Sequence, residues 1–408
     1  MPGSNPRMQI LFLTTQLPYP PVSGGAIKSW RLVEHWYKNA NIRIVCPLKG
    51  SDNENLAEFK SKLPGIEVYS KRLDRSRSAI NLGLSYLTFA PTLNTYRNYH
   101  SDLQSKISEW CADSDVIIVD HYEMGQYLPM VSNAKVVLHE HNAEYVMWDR
   151  MGEIEKNPLK KFILKLESSR IRRAELRFAR RADRVWAAPN DIEELVKIGV
   201  DRTKCKTTYH LGDDFMLDLP DIEFNETDLS LLFIGTLTWE ANIDGLLWFF
   251  ENIWPTLAAK IPELHFYVVG KNPDKRLIDQ CKDYKHVHFT GFVENLEPYY
   301  RKGRVFVIPL RFGSGIKVKL LNAMYRGIPA VTTPIGVEGL EIIHGKELYC
   351  TVDPATHIEA ILTLLQHSDN WISMRNASRK RAQNYSYKEL LKIHDKDLKE
   401  LVSDTTVD

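Results

Sequence analysis

Short apolar runs alternate along the whole chain with longer stretches in which apolar residues recur at helical spacing. The runs cover residues 8–15, 42–46, 66–69, 116–119, 136–138 and 184–187 in the first half. In the second half they cover 231–234, 265–269, 287–290, 305–308 and 331–333. Runs of this length, bounded by glycine, proline and asparagine, predict strands buried on both faces, as in a parallel sheet. Between them, Ile27, Trp30, Leu32, Val33 and Trp36 mark one amphipathic helix, and Ile316, Leu320, Leu321 and Met324 mark another. The second is expected to open at or near Ser314 and to stop at Gly327 and Pro329. Strand and helix alternate twice over, which predicts two doubly wound, Rossmann-like α/β domains. The charged stretch 218–228 reads as the linker. The expected division is 8–217, 229–375 and a helical region 376–405 that returns to the first domain.

Composition narrows the class. With 408 residues, 44% of them hydrophobic and 26% charged, the chain is long enough for two ordinary globular cores. A net charge of +1 gives no argument for a nucleic-acid partner. Cys46, Cys111, Cys205, Cys281 and Cys350 are far apart in sequence, without CxxC or metal spacing, and read as free thiols. Residues 1–7 lack the apolar core of a signal peptide and read as a flexible tail, and no run approaches a membrane span. The expectation is a cytoplasmic chain, at most peripheral at the inner membrane.

Candidate chemistry lies where strands end. After the run 305–308 comes a glycine-rich turn, Arg311 to Gly315, and then a helix start carrying Lys317 and Lys319. Strand, glycine turn and helix N-terminus form an anion site, or else a plain βαβ unit with surface lysines. Gly24-Gly25 repeats the pattern after the first run, as a site or a structural turn. No GxGxxG follows that strand, which counts against a nicotinamide dehydrogenase. Two neighbouring strands end in Asp120-His121 and in His139-Glu140-His141-Asn142-Ala143-Glu144, beyond the carboxyl ends where open α/β sheets bind ligands. That run lacks the spacing of a zinc HExxH helix, so no metal is expected. Residues 71–100 and 155–184 join basic clusters to apolar and aromatic side chains. Either can be an ordinary packed or solvated helical segment, or a surface that meets anionic lipid.

The segment PLRFGSGIKVKLLNAM followed by RGIPAVTTPIGVEGL closely resembles the donor-binding segment of family 4 glycosyltransferases, which have the GT-B fold. The Gly-Ser-Gly-Ile-Lys form resembles one bacterial branch, and His141-Asn142-Ala143-Glu144 resembles a segment of that branch as well. The family usually carries two glutamates here, the second just before an Ala-Met pair. Aligning on Ala323-Met324 places Ser314 and Asn322 at those positions. The resemblance implies two domains facing a cleft, with the nucleotide-sugar donor on the second and the acceptor on the first. It implies donor contacts from Gly24, Gly25, Thr236, Asn242, Arg311, Gly313, Ser314, Gly315, Ile316, Lys317 and Asn322. His121, Asn142 and Glu144 fall on the acceptor side, and His141 and Lys317 are the expected catalytic groups.

The function so implied is a retaining, metal-independent glycosyltransferase that needs no cofactor. It would move a sugar from a nucleotide sugar to a glycan, lipid-linked or protein acceptor in bacterial surface glycan biosynthesis. Two alternatives share the fold: a non-catalytic subunit supporting a partner transferase, motivated by Ser314 and Asn322, and a nucleotide-sugar epimerase.

Overall fold

A computed structural model describes residues 7–403 apart from Ser51, Met130, His210, Leu211 and Ser314. The described chain divides into two compact units. One runs to Tyr209 and regains the chain from Leu390 onward; the other spans Gly212 to Glu389.

The first unit holds a seven-stranded parallel sheet of β1 (Gln9–Thr14), β2 (Asn41–Leu48), β3 (Glu67–Arg72), β4 (Val116–Asp120), β5 (Lys135–His139), β6 (Arg184–Ala187) and β7 (Cys205–Thr207), in the order β3-β2-β1-β4-β5-β6-β7. The second holds a six-stranded parallel sheet of β8 (Ser230–Ile234), β9 (His265–Val269), β10 (Val287–Gly291), β11 (Val305–Ile308), β12 (Ala330–Thr332) and β13 (Tyr349–Cys350), in the order β10-β9-β8-β11-β12-β13. In each sheet the first strand has the second on one side and the fourth on the other. With right-handed crossovers, that reversal puts helices on both faces and opens a crevice at the carboxyl ends of the two central strands. The crevices therefore fall beyond β1 and β4 in one unit and beyond β8 and β11 in the other. Covered on both faces, β4 and β11 are buried along their whole length, which is why they read as unbroken apolar runs.

Three boundaries differ from expectation. Residues 212–217 and the helix Ser368–Ala382 belong to the second unit, so its edges lie outside 229–375. Arginines on that helix hold them there: Arg379 donates to the Leu217 carbonyl at 2.7 Å and Arg375 to the Ile222 carbonyl at 2.7 Å. The return to the first unit is made instead by the helix Tyr387–Ser403. There Asp395 accepts from Trp36 Nε1 at 3.0 Å and Asp397 from Trp186 Nε1 at 2.7 Å. Finally, the helix after β11 is Val318–Arg326 and begins later than Ser314. Gly313 and Gly315 have φ of 134° and 73°, values no helix holds, while Gly327 at 79° closes the helix as its sequence predicts.

Candidate functional site

At the crevice of the first unit the strand register sets Thr14, Asp120 and His139 side by side at the ends of β1, β4 and β5. Asp120 is fully buried and accepts four hydrogen bonds. Thr14 Oγ1 (3.0 Å) and Ser29 Oγ (2.6 Å) donate to Oδ2; His139 Nδ1 (2.7 Å) and His141 Nε2 (2.8 Å) meet Oδ1. Burial opposes the charge, but His141 and His139 hold the Asp120 carboxyl well below the usual range. The same burial lowers His141 to about 4 and His139 to about 3, so both rings are neutral at pH 7. An ionised Asp120 facing neutral rings fixes the tautomer: His141 carries its proton on Nε2 and presents Nδ1 as acceptor.

His141 Nδ1 lies 3.4 Å from where a Cβ on Gly25 would stand, so the bare backbone at Gly25 borders the ring. His121 stacks on His141 with centroids 3.7 Å apart and holds a φ of 80°, a left-handed conformation unusual for a side chain other than glycine. Asp120, His139 and His141 bring donor atoms within 4.8 Å of one another, a set able to hold a metal ion, yet the contacts among them have hydrogen-bond lengths. Glu144 accepts from Trp148 Nε1 at 3.2 Å, and burial raises its pKa against the pull of Arg77. Asn142 is partly exposed beside it. Behind the crevice, burial lowers Lys28 to about 8, with Asp120, Asp191 and Glu140 opposing.

In the second unit, the loops after β8 and β11 meet. Asn242 is buried; its Nδ2 donates to the Thr236 carbonyl at 2.8 Å and its Oδ1 accepts from Lys319 Nζ at 2.6 Å. Lys319 also stands 4.5 Å over the Phe233 ring, and a Cβ on Gly235 would lie 2.7 Å from its Nζ. Burial, and then Lys317, lower Lys319 to about 7. Lys317 occupies the N-cap position of the helix Val318–Arg326, and its side chain makes no capping hydrogen bond there. Its Nζ donates to the Gly315 carbonyl and lies 3.8 Å from Glu338. Trp239 reaches within 3.5 Å of the Cβ position on Gly313 and offers a flat aromatic wall to the turn. Two ammonium groups, backbone N–H groups at a helix start and close-approaching glycines together suit a diphosphate.

Not every predicted residue joins this cluster. The Arg311 guanidinium forks onto the Asp244 carboxylate and ties the turn to the helix Glu240–Asn252. Asn322 is occupied by Asp213, giving its amide to Oδ2 at 3.0 Å and accepting from the backbone N–H at 2.8 Å. Thr236 is exposed, Ile316 buried, and Ser314 lies outside the described residues. Gly24 opens the helix Gly24–Asn39 after β1, with Ser23 as its cap. Trp239 and Asp213 are the additions, while Asp120 and Lys319 stand where the sequence reading placed them, at a strand end and at the helix start after the glycine turn.

Two Rossmann-like units of this topology define the class as GT-B, and solved structures agree. HepE of Anabaena, solved with UDP and glucose, is similar at a TM-score of 0.68 and 15% identity, over 97% of this chain and 100% of that one. Sucrose-phosphate synthase of Thermosynechococcus elongatus is similar at 0.68 and 16%, over 98% and 100%. In sequence, an uncharacterized 44.6 kDa protein in the cps region of Klebsiella pneumoniae is 22% identical over 363 residues, 87% of this chain and 90% of its own. Residues 228–367 match the family described as Glycosyl transferases group 1. Residues 228–367 are thus similar to group 1 glycosyltransferases, within a chain of GT-B fold.

Proposed function

We propose that this protein moves a sugar from a nucleotide sugar to a glycan, lipid-linked or protein acceptor in the assembly of a bacterial surface glycan. The cps-region relative and the family match support the setting, and the Gly-Ser-Gly-Ile-Lys turn points to the bacterial branch that carries it. The observation that carries the reading is the Lys317 and Lys319 pair against the Gly235 and Gly313 turns. Breaking an anomeric C–O bond builds negative charge on the leaving diphosphate, and fixed positive groups there lower the barrier. An arriving diphosphate would draw Lys319, lowered to about 7, back to its charged form. The charge is then supplied by lysines and N–H donors, without a metal or cofactor, and the reaction proceeds with retention. His141, oriented by Asp120, would accept a hydrogen bond from a sugar hydroxyl at Nδ1. Asp213, beside Asn322, would supply the carboxylate that residue 322 lacks.

Calorimetry with UDP-, GDP- and TDP-sugars in metal-free buffer tests this. UDP-glucose comes first, because HepE was solved with it. One donor is expected to bind, with Lys319→Ala and Lys317→Ala each weakening it by about tenfold or more. A second reading, a non-catalytic subunit, draws on the Asn322 amide being engaged by Asp213. A folded protein that binds no nucleotide sugar would favour that reading.

A further inference from the structure

The helix Pro158–Arg181 carries nine basic residues and two acidic ones, Glu167 and Glu175, and both acids are buried. Glu167 accepts from the Leu93 N–H at 2.5 Å, and Glu175 from the Glu144 N–H at 2.6 Å. Its outer face is therefore basic without a compensating carboxylate: Lys160, Lys165, Arg172, Arg173, Arg177 and Arg180 are all exposed. Along one stripe of that face, Leu159 and Phe162 stand 68% and 64% exposed and Leu166 follows, before Arg173 and Arg177.

Against this stripe lies the apolar helix Ala79–Leu87, of which only Ser85 is buried. Arg170 pins it there. The guanidinium donates to Ser85 Oγ (3.0 Å) and to the Ala90 carbonyl (2.7 Å) and lies 3.8 Å from the Tyr86 ring centroid. Ile80 and Leu87 are each 76% exposed, and Phe89 is 93% exposed with a φ of 54°. A bulky residue in that backbone region costs of order 1 kcal/mol, and here the strain leaves the ring in the open. Phe89 stands between two cavities, about 420 and 600 Å³, and Arg177 lines both.

We propose that this face of the first unit docks on an anionic phospholipid bilayer. Exposed Ile80, Leu87, Phe89, Leu159 and Phe162 enter the boundary between headgroups and acyl chains, while Lys160, Lys165, Arg173 and Arg177 meet the phosphates. Charge complementarity selects this occupant. Bulky apolar side chains ringed by uncompensated cations match an interface that is apolar beneath and negative at its surface. No helix among the described residues is long and apolar enough to cross a membrane, so the contact is peripheral. The inference does not depend on sugar transfer.

Cosedimentation of the full chain with phosphatidylcholine vesicles, with and without phosphatidylglycerol, is the test. Binding is expected only with the anionic lipid and is expected to weaken with salt. The double variant Arg173→Glu, Arg177→Glu should lower it by about tenfold or more. Leu87→Ser with Phe89→Ser should lower it while leaving its salt dependence in place. All four side chains are exposed, and a circular dichroism spectrum matching the parent checks the fold. Equal binding to neutral vesicles, no binding to either, or variants that bind like the parent would overturn the proposal. So would self-association without lipid that both variants abolish, since the face would then meet a second copy.

Discussion

Glu123 shows how the crevice of the first unit is balanced. Burial raises its carboxyl to about 7, Glu144 adds to the rise, and Lys49 and Arg77 oppose it. A carboxyl whose folded value lies above its unfolded value of about 4.5 stabilises the fold fully below that value. The contribution then falls as pH rises to about 7 and is constant above it. The gap amounts to roughly 3 kcal/mol. Replacing Glu123 by Gln removes the dependence. The variant is therefore expected to gain on the parent, by up to about 3 kcal/mol, between pH 4.5 and pH 8 in urea unfolding. A difference between the two proteins that stayed flat across that window would mean Glu123 ionises normally. Asp120 is the contrasting residue. Its four hydrogen bonds join positions 19, 21, 91 and 106 apart in sequence, and no local pattern announces such a convergence. The sequence shows an aspartate at a strand end; only the fold shows what it orients.

At the level of elements, strands were legible where both faces are buried, and at the sheet edges only β10 and half of β3 could be read. β4 and β11 read directly as apolar runs, whereas β7 (CKT) and the two-residue β13 carry no such signal, because edge strands are short and half exposed. β3 was visible only in its first half; its second half, Ser70 to Arg72, is polar. The last helix, Tyr387–Ser403, shows what such patterns omit. Its attachment to the first unit runs through Asp397, which accepts from buried Trp186 Nε1 and, at 3.3 Å, from Arg184 Nε. His394 adds a contact to Thr208 Oγ1 at 2.8 Å and stacks on Trp186. Asp397→Ala would leave the indole donor buried without a partner and is expected to cost about 2 kcal/mol. Hydrogen exchange should then quicken in residues 390–403 first. Unchanged exchange there, with the loss spread evenly through the first unit, would mean the helix is held chiefly by its apolar face.

For the whole molecule, two cores and two crevices follow from one repeated topology, and they separate its tasks. The lysine cluster sits wholly within the second unit, in the segment that matches the glycosyltransferase family. The histidine and carboxylate cluster and the basic, apolar face sit wholly within the first. A ligand that binds only the native state stabilises it by RT ln(1 + [L]/Kd), about 2.7 kcal/mol at a hundredfold excess over Kd. Units with separate cores need not unfold together. A uridine nucleotide at that excess is therefore expected to protect the amides of 230–340 from exchange more than those of 9–140. Lys319→Ala, compared with and without the nucleotide, should reduce this protection to about 1.4 kcal/mol or less for a site weakened tenfold or more. Equal protection of both regions would mean that nucleotide binding couples the two units tightly enough to unfold as one. Protection confined to the first unit would overturn the assignment of the donor to Lys317 and Lys319.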